Sequence, residues 1–269
     1  MMDRRSLGRA ALGLAVVGGL GLGSRAARAE TPDTIKARGT LRAAIDLTAP
    51  PYGMLDAETK PTGSDVEAAT LLARDLGVKL EIVPVNGPNR VPFLLTNKAD
   101  LVLASFSITE ERRKVIDYSA PYGVVPVMVG APKGTALSSV TDLVGKTVAV
   151  TRGTTSDQEL TRAARANAGI SVVRYDDDAT TNAAVASGQQ DYLVAAPSVI
   201  REVNRANPSR NVEQKFVLAA YPYAIGLRKD QPELKAWLDD WVGKNLKNGR
   251  LNEVYTRYFG TPLPAEMLR

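Results

Sequence analysis

The sequence predicts an α/β protein of two lobes joined by two extended crossings. Short apolar segments with the β-branched content of buried strands alternate with segments of helical periodicity, the rhythm of a mostly parallel sheet covered by helices. The alternation comes as two series, each followed by a long extended stretch poor in helix signals, residues 123–130 and 215–227. There is no cysteine, so the fold rests on core burial alone, which a chain of 269 residues permits.

Taken in order, residues 41–45 read as a buried strand. Ser64 and Asp65 are candidate N-caps for a helix through Leu76, with Val66, Ala69, Ala73 and Leu76 on one face and Gly77 as its stop. A strand over 78–83, a short helix over 90–97 with Pro92 in its first turn, and a strand over 100–104 follow. The second series comprises strand 147–150, helix 156–167, strand 171–174, helix 179–187 and strand 191–194. The second crossing leads into a helix over 232–247, where Leu234, Trp237, Leu238, Trp241 and Val242 share a face. One lobe is expected to hold residues 31–122 and 223–269 and the other 127–218, each with its own sheet and with a ligand cleft between them.

The residue types missing from the chain exclude whole classes of chemistry. Without Cys or His there is no thiol nucleophile, no thiolate or imidazole metal site, no Ser-His-Asp triad and no lipid-modified cysteine. No metal or cofactor is expected. The N-terminus reads as an export leader. Arg4, Arg5 and Arg9 accompany small and apolar residues over 10–23, and Ala27-Arg28-Ala29 offers a small-x-small cleavage pattern before Glu30. That run of about fourteen residues is shorter than the roughly twenty needed to span a bilayer. Arg4-Arg5-Ser6-Leu7 is similar to a twin-arginine signal, but Asp3 stands where that motif has Ser or Thr, so the general secretory route stays open. The leader holds five Arg and one Asp. Of 34 basic and 29 acidic residues, 29 and 28 remain beyond it, and the net charge falls from +5 to +1. This leaves no electrostatic case for a nucleic-acid partner.

The most informative stretch is residues 89–122. It contains Asn89-Arg90-Val91-Pro92, Lys98-Ala99-Asp100, Ser105-Phe106-Ser107-Ile108-Thr109, Arg112 and Tyr118-Ser119-Ala120-Pro121-Tyr122. In order and spacing these residues resemble family 3 of the bacterial extracellular solute-binding proteins, and supporting matches cover essentially the whole chain beyond the leader. The resemblance implies the two-lobed periplasmic-binding-protein fold (type II, Venus-flytrap) with two crossover strands. It also implies a periplasmic, monomeric component that hands a small amino-acid-like ligand to the membrane permease of an ABC transporter.

Residue by residue, the resemblance implies that Arg112 clamps the ligand α-carboxylate. The residues themselves allow this: a guanidinium can fork two hydrogen bonds onto a carboxylate, beside hydroxyls from Ser105 and Ser107 and a helix start with free N–H groups. The alternative is a surface pairing of Arg112 with Glu110, Glu111 or Asp117. Gly153-Thr154-Thr155-Ser156 opens a helix in the second lobe, and the resemblance places Thr154 and Thr155 on the same carboxylate; alone, the tetrapeptide is also an ordinary N-cap turn. Arg152 beside it is either a ligand contact or a lobe-closing ion pair. Tyr52 matches an aromatic that covers the ligand, or else packs in its loop. Many relatives carry an Asp for the ligand ammonium where this chain has Ala196. Asp46 and Asp178 are the candidate replacements, each also readable as a cap or surface charge. Arg90 matches an Arg that reaches the ligand side chain, which favours a small polar or acidic amino acid. The expected activity is non-catalytic capture. The alternative is an enzyme on the same fold similar to the cyclohexadienyl dehydratases, for which Glu67, Glu81, Asp178 and Glu202 are the candidate proton donors.

Overall fold

A computed structural model describes residues 30–268; the expected leader lies in residues 1–29, outside that range. The first series runs α1 (Pro32–Arg38), β1 (Thr40–Ile45), the short hairpin β2 (Met54–Leu55) and β3 (Pro61–Thr62), α2 (Ser64–Leu76), β4 (Lys79–Pro84), α3 (Arg90–Leu95), β5 (Leu101–Val102) and the single turn α4 (Glu110–Arg113). The long strand β6 (Ile116–Pro132) leads to the second series: β7 (Thr147–Thr151), α5 (Thr155–Ala166), β8 (Ser171–Tyr175), α6 (Asp178–Ala186), β9 (Tyr192–Ala195) and α7 (Pro197–Ala206). A second long strand, β10 (Val212–Arg228), returns the chain to α8 (Pro232–Lys247) and α9 (Arg250–Phe259).

Parallel pairing joins β4, β1 and β5 in the first lobe and β9, β7 and β8 in the second. β6 and β10 pair antiparallel along their lengths, while β10 also borders β5 and β6 borders β9. The order is β4-β1-β5-β10-β6-β9-β7-β8. The chain makes two crossings, but its hydrogen-bond ladder is unbroken where separate sheets were expected. The cause is strand length. Each crossing strand spans 17 residues, so one end extends the first lobe's sheet and the other end the second's. Register shifts between Gln214 and Phe216, Val217 and Ala219, and Tyr223 and Gly226 interrupt the pairing of the two crossings.

The apolar clusters divide by series. Ile45, Leu72, Leu101, Ile225 and Leu238 belong to one cluster, and Leu94, Val102, Phe106 and Ile116 to a second. Val129, Val150 and Leu160 form part of a third, and Leu193, Ile200 and Val203 part of a fourth. Helix α2 differs from expectation at its start. Its N-cap is Gly63, at φ 124°, so Ser64 and Asp65 lie in its first turn and neither caps it. That leaves the Asp65 carboxylate free to serve another element. β5 is shorter than expected because the chain bends sharply at Ser105, which holds a left-handed φ of 43°. Among the described residues no helix is long and apolar enough to cross a membrane.

Candidate functional site

The carboxyl ends of five strands converge between the lobes, the place where open α/β sheets bind ligands. Just beyond its end β1 delivers Asp46, β5 delivers Ser105 and Ser107, β7 ends on Thr151 and the Gly153 turn, β8 leads to Asp178, and β9 leads to Ala196. They surround a cavity open at its mouth, in the interlobe position where small-molecule sites form. Arg90, Ser105, Ser107, Thr151, Thr155 and Asp178 form its polar wall, and Thr154 and Ser156 complete the polar set. Tyr52, Val125, Val194, Ala196 and Val199 supply apolar surface.

In the first lobe, Arg90 is 5 % exposed and donates from Nη2 to Asp46 Oδ2 at 3.0 Å. The other Asp46 oxygen accepts from Thr48 N at 3.0 Å and Thr48 Oγ1 at 2.7 Å. Asp46 is therefore held by its own lobe and is absent from the cavity lining, where it was expected to take the place of the ammonium-binding Asp. Arg90 does reach the cavity, and its buried Nε has no partner. Tyr52 lines the cavity while packing edge-on to Tyr223 at 6.1 Å and beside Phe259 at 5.0 Å.

Ser105 is held from behind. Its backbone N–H donates to Asp65 Oδ2 at 2.6 Å, and the other Asp65 oxygen accepts from Tyr122 Oη at 3.2 Å. A left-handed backbone at a residue with a side chain costs roughly 1–2 kcal/mol. A hydrogen bond to a charged group, worth about 1.5–3 kcal/mol, offsets that cost. Burial pushes Asp65 up to about 7, against the pull of the Ser105 N–H, Tyr122 and Arg90.

In the second lobe, Asp178 opens α6 and accepts a short hydrogen bond from Thr151 Oγ1, which also meets Thr181 Oγ1 at 2.7 Å. Asp178 is the N1 residue of α6; Asp177 is the cap. Burial and the nearby Asp46 push Asp178 up to about 6, while Thr151 and Arg90 pull the other way. No cation pairs with Asp178 among the described residues, so it is the cavity's open carboxylate. Thr154 caps α5, accepting from Asp157 N at 3.2 Å and donating to Thr151 O at 2.7 Å. Ala196, at the start of α7, brings no charge.

The lobes touch across this cavity. Ser107 Oγ lies 3.3 Å from Thr155 Oγ1, and Arg112 Nη2 donates to Gly153 O at 3.0 Å. Arg112 also donates to Ser107 O at 2.8 Å and lies over the Phe106 ring at 4.6 Å. It is 7 % exposed and pairs with none of Glu110, Glu111 and Asp117; burial lowers its pKa to about 10. Its guanidinium sits at the seam between the lobes and is absent from the cavity lining, where it was expected to face the ligand. Arg152 makes neither expected contact: it pairs with Asp176 of its own lobe at 3.2 Å, with both side chains more than half exposed. Asp100, part of the sequence motif, is structural and pairs with Arg38 and Arg42. Of the acids considered for catalysis, only Asp178 reaches the cavity. Glu67 is occupied by Arg257 and Tyr258, and Glu202 by Arg205.

Sequence reasoning missed Thr151 and Asp65 as site residues. Thr151 carried a readable signal, a polar residue ending a Val-rich strand just before a Gly-Thr-Thr turn. Asp65 carried none, since its partner Ser105 lies 40 residues away.

Two α/β lobes, joined by two long crossings and closed over a polar cavity, define a ligand-capturing protein of the periplasmic-binding class. The chain belongs to the bacterial extracellular solute-binding proteins, family 3, whose model matches residues 41–261. It is 29% identical over 229 residues to the L-cystine-binding protein TcyJ of Escherichia coli strain K12, covering 84% of this chain and 85% of that one. An ancestral arginine-binding protein bound to arginine matches with a TM-score of 0.78 and 33% identity, over 83% of this chain and 99% of that chain. The ancestral amino acid-binding protein AncCDT-1, described as a precursor of cyclohexadienyl dehydratase, matches with a TM-score of 0.77 and 31% identity, over 85% and 99%.

Proposed function

We propose that this protein captures a small, polar, free L-α-amino acid between its lobes and delivers it unchanged to the permease of an ABC importer in the periplasm, after removal of residues 1–29. The observation that carries the reading is the polarity of the cavity. The start of α5, with Thr154, Thr155 and Ser107, suits a carboxylate, and the open Asp178 suits an ammonium. A zwitterion satisfies both. Relatives named for cystine and arginine support an amino-acid ligand without fixing its side chain. Arg90 is already paired with Asp46, so an acidic side chain would compete with an internal carboxylate, and a neutral polar side chain fits better. Segregation of the four apolar clusters supports lobes of residues 31–122 with 223–269 and of 127–218.

A thermal-shift screen of the standard L-amino acids and L-cystine tests this. A ligand at a thousandfold excess over its Kd adds about 4 kcal/mol to the native state, which raises Tm by roughly 8–16 °C at this chain length. The absence of a shift from any member would refute the reading. A second reading, a dehydratase, rests on Asp178, a buried acid that still holds a proton near pH 6. Mass spectrometry of the ligand after incubation decides it: capture returns it intact, and a dehydratase of the cyclohexadienyl kind returns its substrate short of one water and one carbon dioxide.

A further inference from the structure

We propose that Asp65 is the positioning residue of the capture cleft, holding the Ser105–Ser107 wall in its ligand-facing form only while its carboxylate is charged. This rests on the capture reading above. Asp65 is 1 % exposed and lies behind the cavity wall, bonded to the one left-handed residue that lines the cavity. Ser105 is the first residue of a short lever. Two residues on, the Ser107 carbonyl anchors Arg112 and Tyr118, and the Ser107 hydroxyl meets Thr155 of the other lobe. A relaxed Ser105 therefore disturbs the cavity and the seam together.

The same carboxylate touches the crossings. Tyr122 of β6, its second partner, stands edge-on to Tyr223 of β10 at 4.8 Å, and Tyr223 stands edge-on to the cavity-lining Tyr52. The titratable groups facing Asp65 from its surroundings are these three phenols, Arg90 of α3, which favours its charge, and Asp46 after β1, which opposes it. Glu67, on the same helix, is occupied by Arg257 and Tyr258 of α9. A charge-assisted bond is about twice as strong as a neutral one. Protonation of Asp65 therefore weakens the bond that holds Ser105 against its backbone preference, and burial puts that step near pH 7.

Wild type, Asp65→Asn and Tyr122→Phe are compared by calorimetry with the tightest-binding member of the L-amino-acid and L-cystine panel. Asp65→Asn, a neutral isostere, should bind about three- to tenfold more weakly than wild type at about pH 8, and the two should converge at about pH 6. Equal affinity of wild type and Asp65→Asn at the higher pH overturns the proposal. In ligand-free wild type, carbon NMR should give the Asp65 carboxyl a midpoint near 7, with the Ser105 amide resonance moving at the same midpoint. Tyr122→Phe removes a bond to the charged form and should raise that midpoint. A Ser105 amide that does not follow Asp65, or a midpoint that Tyr122→Phe leaves unmoved, also overturns it. These ligand-free measurements keep their force if no panel member binds, an outcome that would instead refute amino-acid capture.

Discussion

Arg90 and Arg112 are both buried beside the cleft, and they satisfy their charge in different ways. Arg90 has a carboxylate 3.0 Å away in its own lobe. Arg112 has only the carbonyls of Ser107 and Gly153 and the face of Phe106, so it remains a buried cation without an anion. Removing Arg112 strands no carboxylate, and Ser107 O keeps its bond from Tyr118 Oη at 3.1 Å. Arg112→Ala should therefore leave urea stability nearly unchanged while weakening capture by roughly 1.5–3 kcal/mol, the worth of the charged hydrogen bond it gives Gly153 O across the closed seam. Affinity retained within about threefold, or outright unfolding, would contradict the role. Arg112→Lys should not rescue binding, because an ammonium cannot fork across both lobes. Arg90→Ala should behave in the opposite sense. It leaves Asp46 buried without its cation and should destabilise the fold by about 3–5 kcal/mol, with the double variant Asp46→Asn, Arg90→Gln recovering much of the loss. Denaturant midpoints of Arg112→Ala, Arg90→Ala and the double variant measure this. Both arginines stand out in the sequence through their motif, and the structure places Arg90 in the cavity wall and Arg112 at the seam beside it. That Arg90 and Asp46 spend their charges on each other was not legible there, because 44 residues separate them in the chain.

At the scale of elements, closure depends on how near the two loops flanking the cavity can come. Gly87 of the short turn Gly87–Asn89 faces the second lobe so closely that an added Cβ would lie 2.2 Å from Arg152 O. Its backbone is not left-handed, so Gly87→Ala strains nothing within its own lobe. It should leave Tm unchanged without ligand, weaken capture by about tenfold or more, and keep the ligand-saturated protein at an open radius of gyration in small-angle scattering. Full closure of Gly87→Ala would show that the loops yield to each other. The elements easiest to read in the sequence were those with punctuation. Helix α2 stops at Gly77, and α8 runs from Pro232 to Lys247 as expected. Helices α7 and α9 went unread although Pro197 opens one and Gly249 and Gly260 bracket the other. The sequence shows the crossings only as residues 123–130 and 215–227, shorter than the 17 residues each spans; Pro121 stops the strand pattern before the first, while Pro126 and Pro222 lie within the stretches it shows. In the fold these prolines sit inside the paired ribbon, and pairing between distant segments is not a local property of either one.

Across the whole molecule, the cleft places two carboxyl groups in surroundings that oppose their charge, and this gives stability a direction with pH. Asp65 is raised to about 7 and Asp178 to about 6, both chiefly by burial. Between the ordinary carboxylate range and these values the native state holds protons that the unfolded chain has released. Stability is therefore greatest at the acid end of that window and falls as pH rises through it, with a limiting slope of about 1.4 kcal/mol per pH unit for each group. Asp75 acts in the opposite sense: its burial is outweighed by Arg250 and Trp241, which hold it low, so its contribution is lost only on acidification below the window. The ligand-free protein should accordingly have a higher urea midpoint at about pH 5 than at about pH 8, and Asp65→Asn with Asp178→Asn should flatten the difference. A ligand ammonium at Asp178 favours the ionised form. Capture at about pH 6 should then release a proton, seen as a dependence of the calorimetric heat on the ionisation enthalpy of the buffer, and this dependence should fade at about pH 8. Proton uptake at the lower pH would mean that the ligand presents an anion to Asp178, and the proposed orientation of the zwitterion would be reversed.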